Sequence, residues 1–317
     1  MHRVTLPSTD ITTSALGFGT AGLLRIGSER ERQNVLAAAF DVGITHFDTA
    51  PIYGLGESER ALGRFLRGRR DRVTLTTKFG LQVRGLTASL AFMQRSARFV
   101  LAHARSLRRG VARNAASLYS RPDYRADSVR KSLERSLRAL GTNHVDLFLA
   151  HECSPDTLPD PELLDFLSRS REAGRIRAFG TASTFERTQG VRRARPELTR
   201  VMQFESDLFD RNVQGVGGAC ITHGALTRSV PRLRALLVAR PDLAKRWSDC
   251  VGEDLGSDDV ICALALRGSL LANRAGVVLM QSTSTRHVAA NAREATSMSR
   301  DAAVLRLLEL LAEEAPD

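Results

Sequence analysis

The sequence predicts a closed (β/α)8 barrel, and three observations predict it. Short apolar strands alternate with amphipathic helices along the chain, eight such strands can be counted, and no strand-only stretch interrupts the alternation. The first strand-to-helix turn lacks a G-x-G-x-x-G fingerprint, which an open dinucleotide-binding sheet would normally carry. With 317 residues, 43% of them hydrophobic, the chain can bury a large core, and barrels routinely form one domain at such lengths. Residues 1–317 are therefore read as one domain.

Each element has its own signal. Residues 3–6 and 11–14 flank a Pro-Ser-Thr-Asp turn and predict an N-terminal β-hairpin that caps the barrel floor before the first core strand, 15–19. Ser28-Glu29-Arg30-Glu31 is a capping box; Val35, Ala38, Ala39 and Val42 continue it at helical spacing until Gly43. Strand two is predicted over 44–47, a helix bearing Leu62, Phe65 and Leu66 ends at Gly68, and strand three runs over 73–77. After a long insertion, Val129, Leu133, Leu137 and Leu140 form a stripe closed by Gly141, and strand four follows over 145–150. Asp160-Pro161 opens a helix that Gly174 ends, ahead of strand five, 176–180. Strands six, seven and eight are expected over 201–204, 219–222 and 277–280, with a helix over 257–273 before the last and a packing helix over 301–313.

Composition narrows the function classes. The N-terminus lacks the charged-then-apolar run of a signal peptide, and no apolar run approaches the roughly 18 residues of a membrane span. Cys153, Cys220, Cys250 and Cys262 form no C-x-x-C pair or zinc-like spacing with histidine, so reduced thiols in a cytoplasmic protein without a metal are expected. The net charge of +11 is mostly scattered arginine without a basic block or a nucleic-acid motif, so neither nucleic acid nor membrane is expected as a partner.

In a barrel the active site collects at the C-terminal ends of the strands. Asp48, Lys78 and His151 each follow an apolar run, and Tyr53 lies in the loop after Asp48. A lysine desolvated at a strand end needs a carboxylate such as Asp48 to keep its charge. A nearby ammonium is expected to lower the pKa of the Tyr53 phenol and make it a usable proton donor, while His151 polarises a carbonyl oxygen. Taken singly, an aspartate after a strand usually caps a turn and a buried histidine is usually a satisfied core residue. The four together favour carbonyl reduction or its reverse.

The segments Phe47-Asp48-Thr49-Ala50-Pro51-Ile52-Tyr53-Gly54, Thr77-Lys78-Phe79 and 145–151 resemble the aldo-keto reductase superfamily. The likeness runs from Leu16-Gly17-Phe18-Gly19-Thr20 through Gln203 to Asn291. It implies a TIM barrel using NADP(H) or NAD(H), with Asp48 and Lys78 tuning Tyr53 as the acid and His151 orienting the substrate. It also implies cofactor contacts from Gly19, Thr20 and Gln203; Ser183 stands where the family has Asn, and His223 where an aromatic ring stacks on the nicotinamide. The segment Gln281-Ser282-Thr283-Ser284-Thr285 to Asn291 resembles the adenosine-phosphate loop. Gln281 and His287 replace cations that many NADPH-specific relatives use, and Arg286 is the available substitute, so NADP(H) is favoured with NAD(H) as the alternative.

Residues 79–127 are long for a βα connection and are expected to form a lid, with helical pieces around 91–105. Nine arginines against two acids there would suit an acidic or phosphorylated substrate, though a solvated helical insertion explains them as well. The leading reading is an oxidoreductase acting on a small carbonyl compound or alcohol. The alternative is a cofactor-binding regulatory or partner-binding subunit on the same fold, and the substrate, reaction direction and oligomeric state are not encoded in readable form.

Overall fold

The N-terminal hairpin forms as expected, β1 (Arg3–Thr5) pairing antiparallel with β2 (Thr12–Ser14). It is tied to the barrel floor by Ser14, whose Oγ accepts from the Thr45 amide at 2.9 Å. The structure is a computed structural model that describes residues 1–82, 122–158 and 161–314. Eight parallel strands close into a barrel in the order β10-β3-β4-β5-β6-β7-β8-β9: β3 (Leu16–Gly19), β4 (His46–Asp48), β5 (Thr74–Phe79), β6 (Val145–His151), β7 (Ile176–Ala182), β8 (Val201–Glu205), β9 (Ala219–His223) and β10 (Val277–Met280). The (β/α)8 prediction holds, and all eight predicted strands are present.

Among the described residues ten α-helices accompany them: α1 (Glu29–Asp41), α2 (Glu57–Leu66), α3 (Ala126–Leu140), α4 (Pro161–Glu172), α5 (Phe185–Ala194), α6 (Ser229–Ala239), α7 (Pro241–Val251), α8 (Asp258–Ala272), α9 (Thr285–Thr296) and α10 (Asp301–Glu314). The capping signals behave physically. Ser28 Oγ accepts from the Glu31 amide at 3.1 Å to start α1, and Gly141 ends α3 in the left-handed region at φ +63°. Three helices went unread in the sequence: α5 is largely polar, and α6 and α7 abut at Arg240-Pro241, where the proline serves as the first helical residue instead of a loop signal. Helices α6, α7, α8 and α10 bury a second apolar cluster around Leu233, Trp247, Leu264 and Leu307, beside the barrel core.

Close packing inside the wall explains one glycine. A Cβ on Gly180 of β7 would lie 1.8 Å from the Val201 carbonyl oxygen of β8, so this strand crossing admits no side chain. The expected lid over 79–127 falls mostly outside the described residues, which omit 83–121; Phe79 completes β5, and α3 begins at Ala126. No helix among the described residues is long and apolar enough to cross a membrane.

Candidate active site

The strands run one or two residues further than their apolar runs suggest, and this carries Asp48, Lys78 and His151 onto the strand ends themselves. Asp48 pairs in register with Thr76, so Lys78, two residues on, leaves the sheet on the same face. The two meet in the barrel mouth: Lys78 Nζ is 2.7 Å from Asp48 Oδ1 and also donates to the Thr49 carbonyl at 3.0 Å. Both residues are 2% exposed, which makes this a fully desolvated ion pair. Gln203, on the far side of the barrel on β8, donates from Nε2 to the second oxygen of Asp48 at 3.1 Å.

Tyr53 reaches this pair because of the loop that carries it. Gly54, Leu55 and Gly56 all have positive φ, at +56°, +59° and +90°, and this reversal sends the chain back into α2 with Tyr53 over the mouth. Glycine permits two of those conformations without cost, and a Cβ on Gly54 would strike the Leu24 side chain at 2.3 Å. Leu55 adopts its left-handed conformation against its intrinsic preference. The result sets Lys78 Nζ 5.0 Å from the Tyr53 ring centroid and the Tyr53 and His151 rings edge to face with centroids 6.0 Å apart.

The electrostatics follow from burial and from this one cation. Burial works against the Lys78 charge, but the attraction of Asp48, aided by Tyr53, carries its pKa above the ordinary lysine value. Burial pushes the His151 pKa down to about 3, and Lys78 and His223 add to that, so the imidazole is neutral. Among the described residues neither His151 ring nitrogen has a hydrogen-bond partner, which leaves the ring free to meet an oxygen in the cleft. The expectation for Tyr53 needs correction. Burial raises the phenol pKa above its ordinary value, and the charge and hydrogen-bonding pull of Lys78 opposes that without reversing it. Tyr53 is thus a protonated phenol, with Lys78 the nearby group that favours its anion.

A cavity of about 320 Å3 opens at the mouth, lined by Gly19, Tyr53, His151, Gln203, His223 and Gln281 among others. It shares Gln281 and Leu226 with a groove of about 620 Å3 that carries Ser282, Arg286 and Asn291. The two adjoin through these shared residues and make one cleft with Tyr53 at one end and Asn291 at the other. Gln203 Oε1 is buried without a partner, so a carboxamide N–H at the Tyr53 end of the cleft would complete it.

Other expected cofactor contacts are placed differently. Thr20 is fully buried, its Oγ1 donating to the Asp48 carbonyl at 3.1 Å, so it braces the end of β4 and does not face the cleft. Ser183 lines the mouth, but its hydroxyl donates to the Cys153 carbonyl at 2.8 Å and has only its lone pairs left to offer. Ser284 is the residue before α9 and stands off the groove lining, and Ser282 Oγ, which does line it, donates to the Ser284 carbonyl at 3.0 Å. His223 stands at the exposed rim. Two carboxylates at the mouth went unread: Glu152, which follows His151 at φ +57° and pairs with Arg187 at 3.3 Å, and Glu205, which accepts from the first amide of α5 at 3.1 Å. Extending the survey of each strand end by one or two residues finds both.

Known proteins resemble this chain in fold and in sequence. The holo form of the aldo-keto reductase AKR11C1 from Bacillus halodurans matches with a TM-score of 0.71 at 21% identity, over 100% of this chain and 98% of that one, a likeness of fold. Aldo-keto reductase yakc, designated NADP(+), of Schizosaccharomyces pombe is 32% identical over 189 residues, 57% of this chain and 46% of that protein. The NADH-specific methylglyoxal reductase of Escherichia coli is 28% identical over 192 residues, 58% of this chain and 52% of that protein. The chain thus spans about half the length of these curated relatives. The model of the Aldo/keto reductase family matches residues 15–216, from the first core strand to beyond β8, and so takes in all four residues at the mouth. The chain belongs to the aldo/keto reductase family.

Proposed function

We propose that this chain is a nicotinamide-dependent oxidoreductase that interconverts a small carbonyl compound and its alcohol, with Tyr53 as the general acid and base. The observation that carries this reading is the convergence of Asp48, Lys78, Tyr53 and His151 on one mouth, with a single buried ion pair beneath the phenol. When bound, the nicotinamide supplies or accepts the hydride. His151, neutral and without a side-chain partner among the described residues, donates a hydrogen bond to the substrate oxygen and sets it against the phenol. Tyr53 passes its proton to that oxygen, and Lys78, held charged by Asp48, stabilises the phenolate left behind. In the reverse direction the same phenolate takes the alcohol proton.

Gln203 would hold the carboxamide end of the cofactor, and Gln281, Ser282, Arg286 and Asn291 the adenosine end. Arg286 is the cation nearest to the role of a 2′-phosphate ligand, but it lies 3.8 Å from Asp259, which competes for it. NADP(H) is favoured, with NAD(H) as the alternative, in keeping with relatives named for each. Residues 1–317 act as one domain, with 79–127 as an insertion in the sequence between the third and fourth barrel strands. Four free cysteines suit a reducing, cytoplasmic setting. The test is a fluorescence titration of NADPH and NADH into the full chain, followed by nicotinamide absorbance with a panel of aldehydes, ketones and sugars. Turnover of at least one substrate is expected; tight binding with no turnover across the panel would instead support a cofactor-binding subunit.

A further inference from the structure

We propose that the floor of the barrel, at the end opposite the mouth, carries a binding site for a phosphomonoester. A cleft of about 470 Å3 opens there between the β1–β2 turn, the end of α4 and the starts of β7 and β8, and Arg171, Arg177 and Arg200 all line it. Arg177 is neutralised: its guanidinium lies 2.9 Å from Asp146 Oδ1 and 3.1 Å from Asp10 Oδ2. Arg171 and Arg200 are not. Among the described residues neither has a carboxylate oxygen within 4.0 Å.

The charge around the cleft therefore does not cancel. Asp10 is the acid that lines it, and Arg177 occupies that carboxylate; Asp146, behind the wall, is shared with Arg70 at 2.8 Å. Two guanidinium groups are left over, matching the charge of one phosphomonoester, and each presents the planar donor fork that suits phosphoryl oxygens. The rim adds a hydroxyl on Ser8, held in the left-handed region at φ +62°, whose Oγ has no protein partner among the described residues. The wall adds a small apolar strip: Ala178 and Phe179 line the cleft, Phe179 being 5% exposed with the Arg171 guanidinium 6.0 Å from its ring centroid. A ligand with a phosphate on a small apolar remainder meets both features, whereas inorganic phosphate meets only the first.

The experiment is calorimetric titration of phenyl phosphate and of inorganic phosphate into the full chain held with saturating NADPH, so that the mouth and its groove cannot take the probe. One saturable site is expected, tighter for phenyl phosphate than for inorganic phosphate. The double variant Arg171→Ala/Arg200→Ala should weaken it at least about tenfold, the loss of two charge-assisted contacts, and leave NADPH affinity unchanged. Arg171→Lys/Arg200→Lys should fall between, since the charge is kept and the fork lost. Should the alanine variant fail to fold, Arg200→Glu alone must weaken phenyl phosphate by about the same factor. No saturable binding, equal binding by the variants, or a site that saturating NADPH abolishes would each overturn the proposal.

Discussion

Asp48→Asn removes one charge from a pair with almost no contact with water, and its cost can be worked through from the surroundings. Asp48 accepts from Lys78 at 2.7 Å and from Gln203 at 3.1 Å, and after substitution Lys78 has only neutral acceptors, the Thr49 carbonyl at 3.0 Å and the new amide oxygen, with no countercharge. Breaking a buried pair from one side costs about 3–5 kcal/mol, because the remaining ion stays desolvated. For a protein of this size that is a fall in Tm of about 4–8 °C. The pH dependence carries more information than the magnitude. In the wild type the folded-state pKa of Lys78 lies above its ordinary value of 10.5, so the contribution of the pair is complete below that value and is lost only as pH rises through the higher folded one. Without Asp48, burial dominates and the folded pKa drops below the ordinary value. The variant then pays for an unpaired or neutralised lysine at neutral pH and recovers stability as pH rises towards 10.5. Urea unfolding of both proteins at neutral and at moderately alkaline pH should show the deficit shrinking with pH, and the double variant Asp48→Asn/Lys78→Met should recover most of it. A deficit under about 1 kcal/mol, the scale of an exposed pair, would refute the reasoning, as would one that does not change with pH.

Three further outcomes follow from the geometry. Gly180→Ala should destabilise the barrel by about 2–3 kcal/mol or more, as its Cβ meets the Val201 carbonyl of the next strand, and a thermal melt unchanged from wild type would contradict that packing. His46, buried in the barrel with its pKa held down to about 4 by burial, must take up a proton on unfolding; stability should be complete above pH 6.5 and fall as pH drops from there towards 4, by up to about 3 kcal/mol from this residue. His46→Leu should flatten that slope in urea titrations, and an unchanged slope would show that the acid sensitivity comes from elsewhere. Arg286→Ala should weaken NADPH by about tenfold more than NADH in fluorescence titrations, since only NADPH brings a 2′-phosphate, and equal loss of both would remove Arg286 from that role.

Most of the fold was legible because it depends on patterns that are local in sequence: apolar runs of strand length, helical stripes, and stops such as Gly141. Strand ends were read short at Lys78 and His151, because a polar side chain pointing into the mouth breaks the apolar run while the backbone ladder continues beneath it. The four residues at the mouth were readable, since each lies at or just after such a break. Thr20 and Ser183 looked equally exposed to the cleft from the sequence; their orientation depends on carbonyls 28 and 30 residues away, at Asp48 and Cys153. The direction of the Tyr53 pKa was also beyond the sequence, because it is a balance between burial and one charge, and the burial is a property of the assembled loop.

In the proposed reaction the Tyr53 phenol moves a proton while the rest of the mouth binds and orients. Tyr53→Phe keeps the ring and removes only the hydroxyl, so cofactor titration and single-turnover nicotinamide absorbance on the same variant separate the two roles. Cofactor affinity within about twofold of wild type and a chemical step slowed by about 10²–10⁴ are expected. A chemical step at the wild-type rate, with the cofactor bound, would contradict that role for Tyr53.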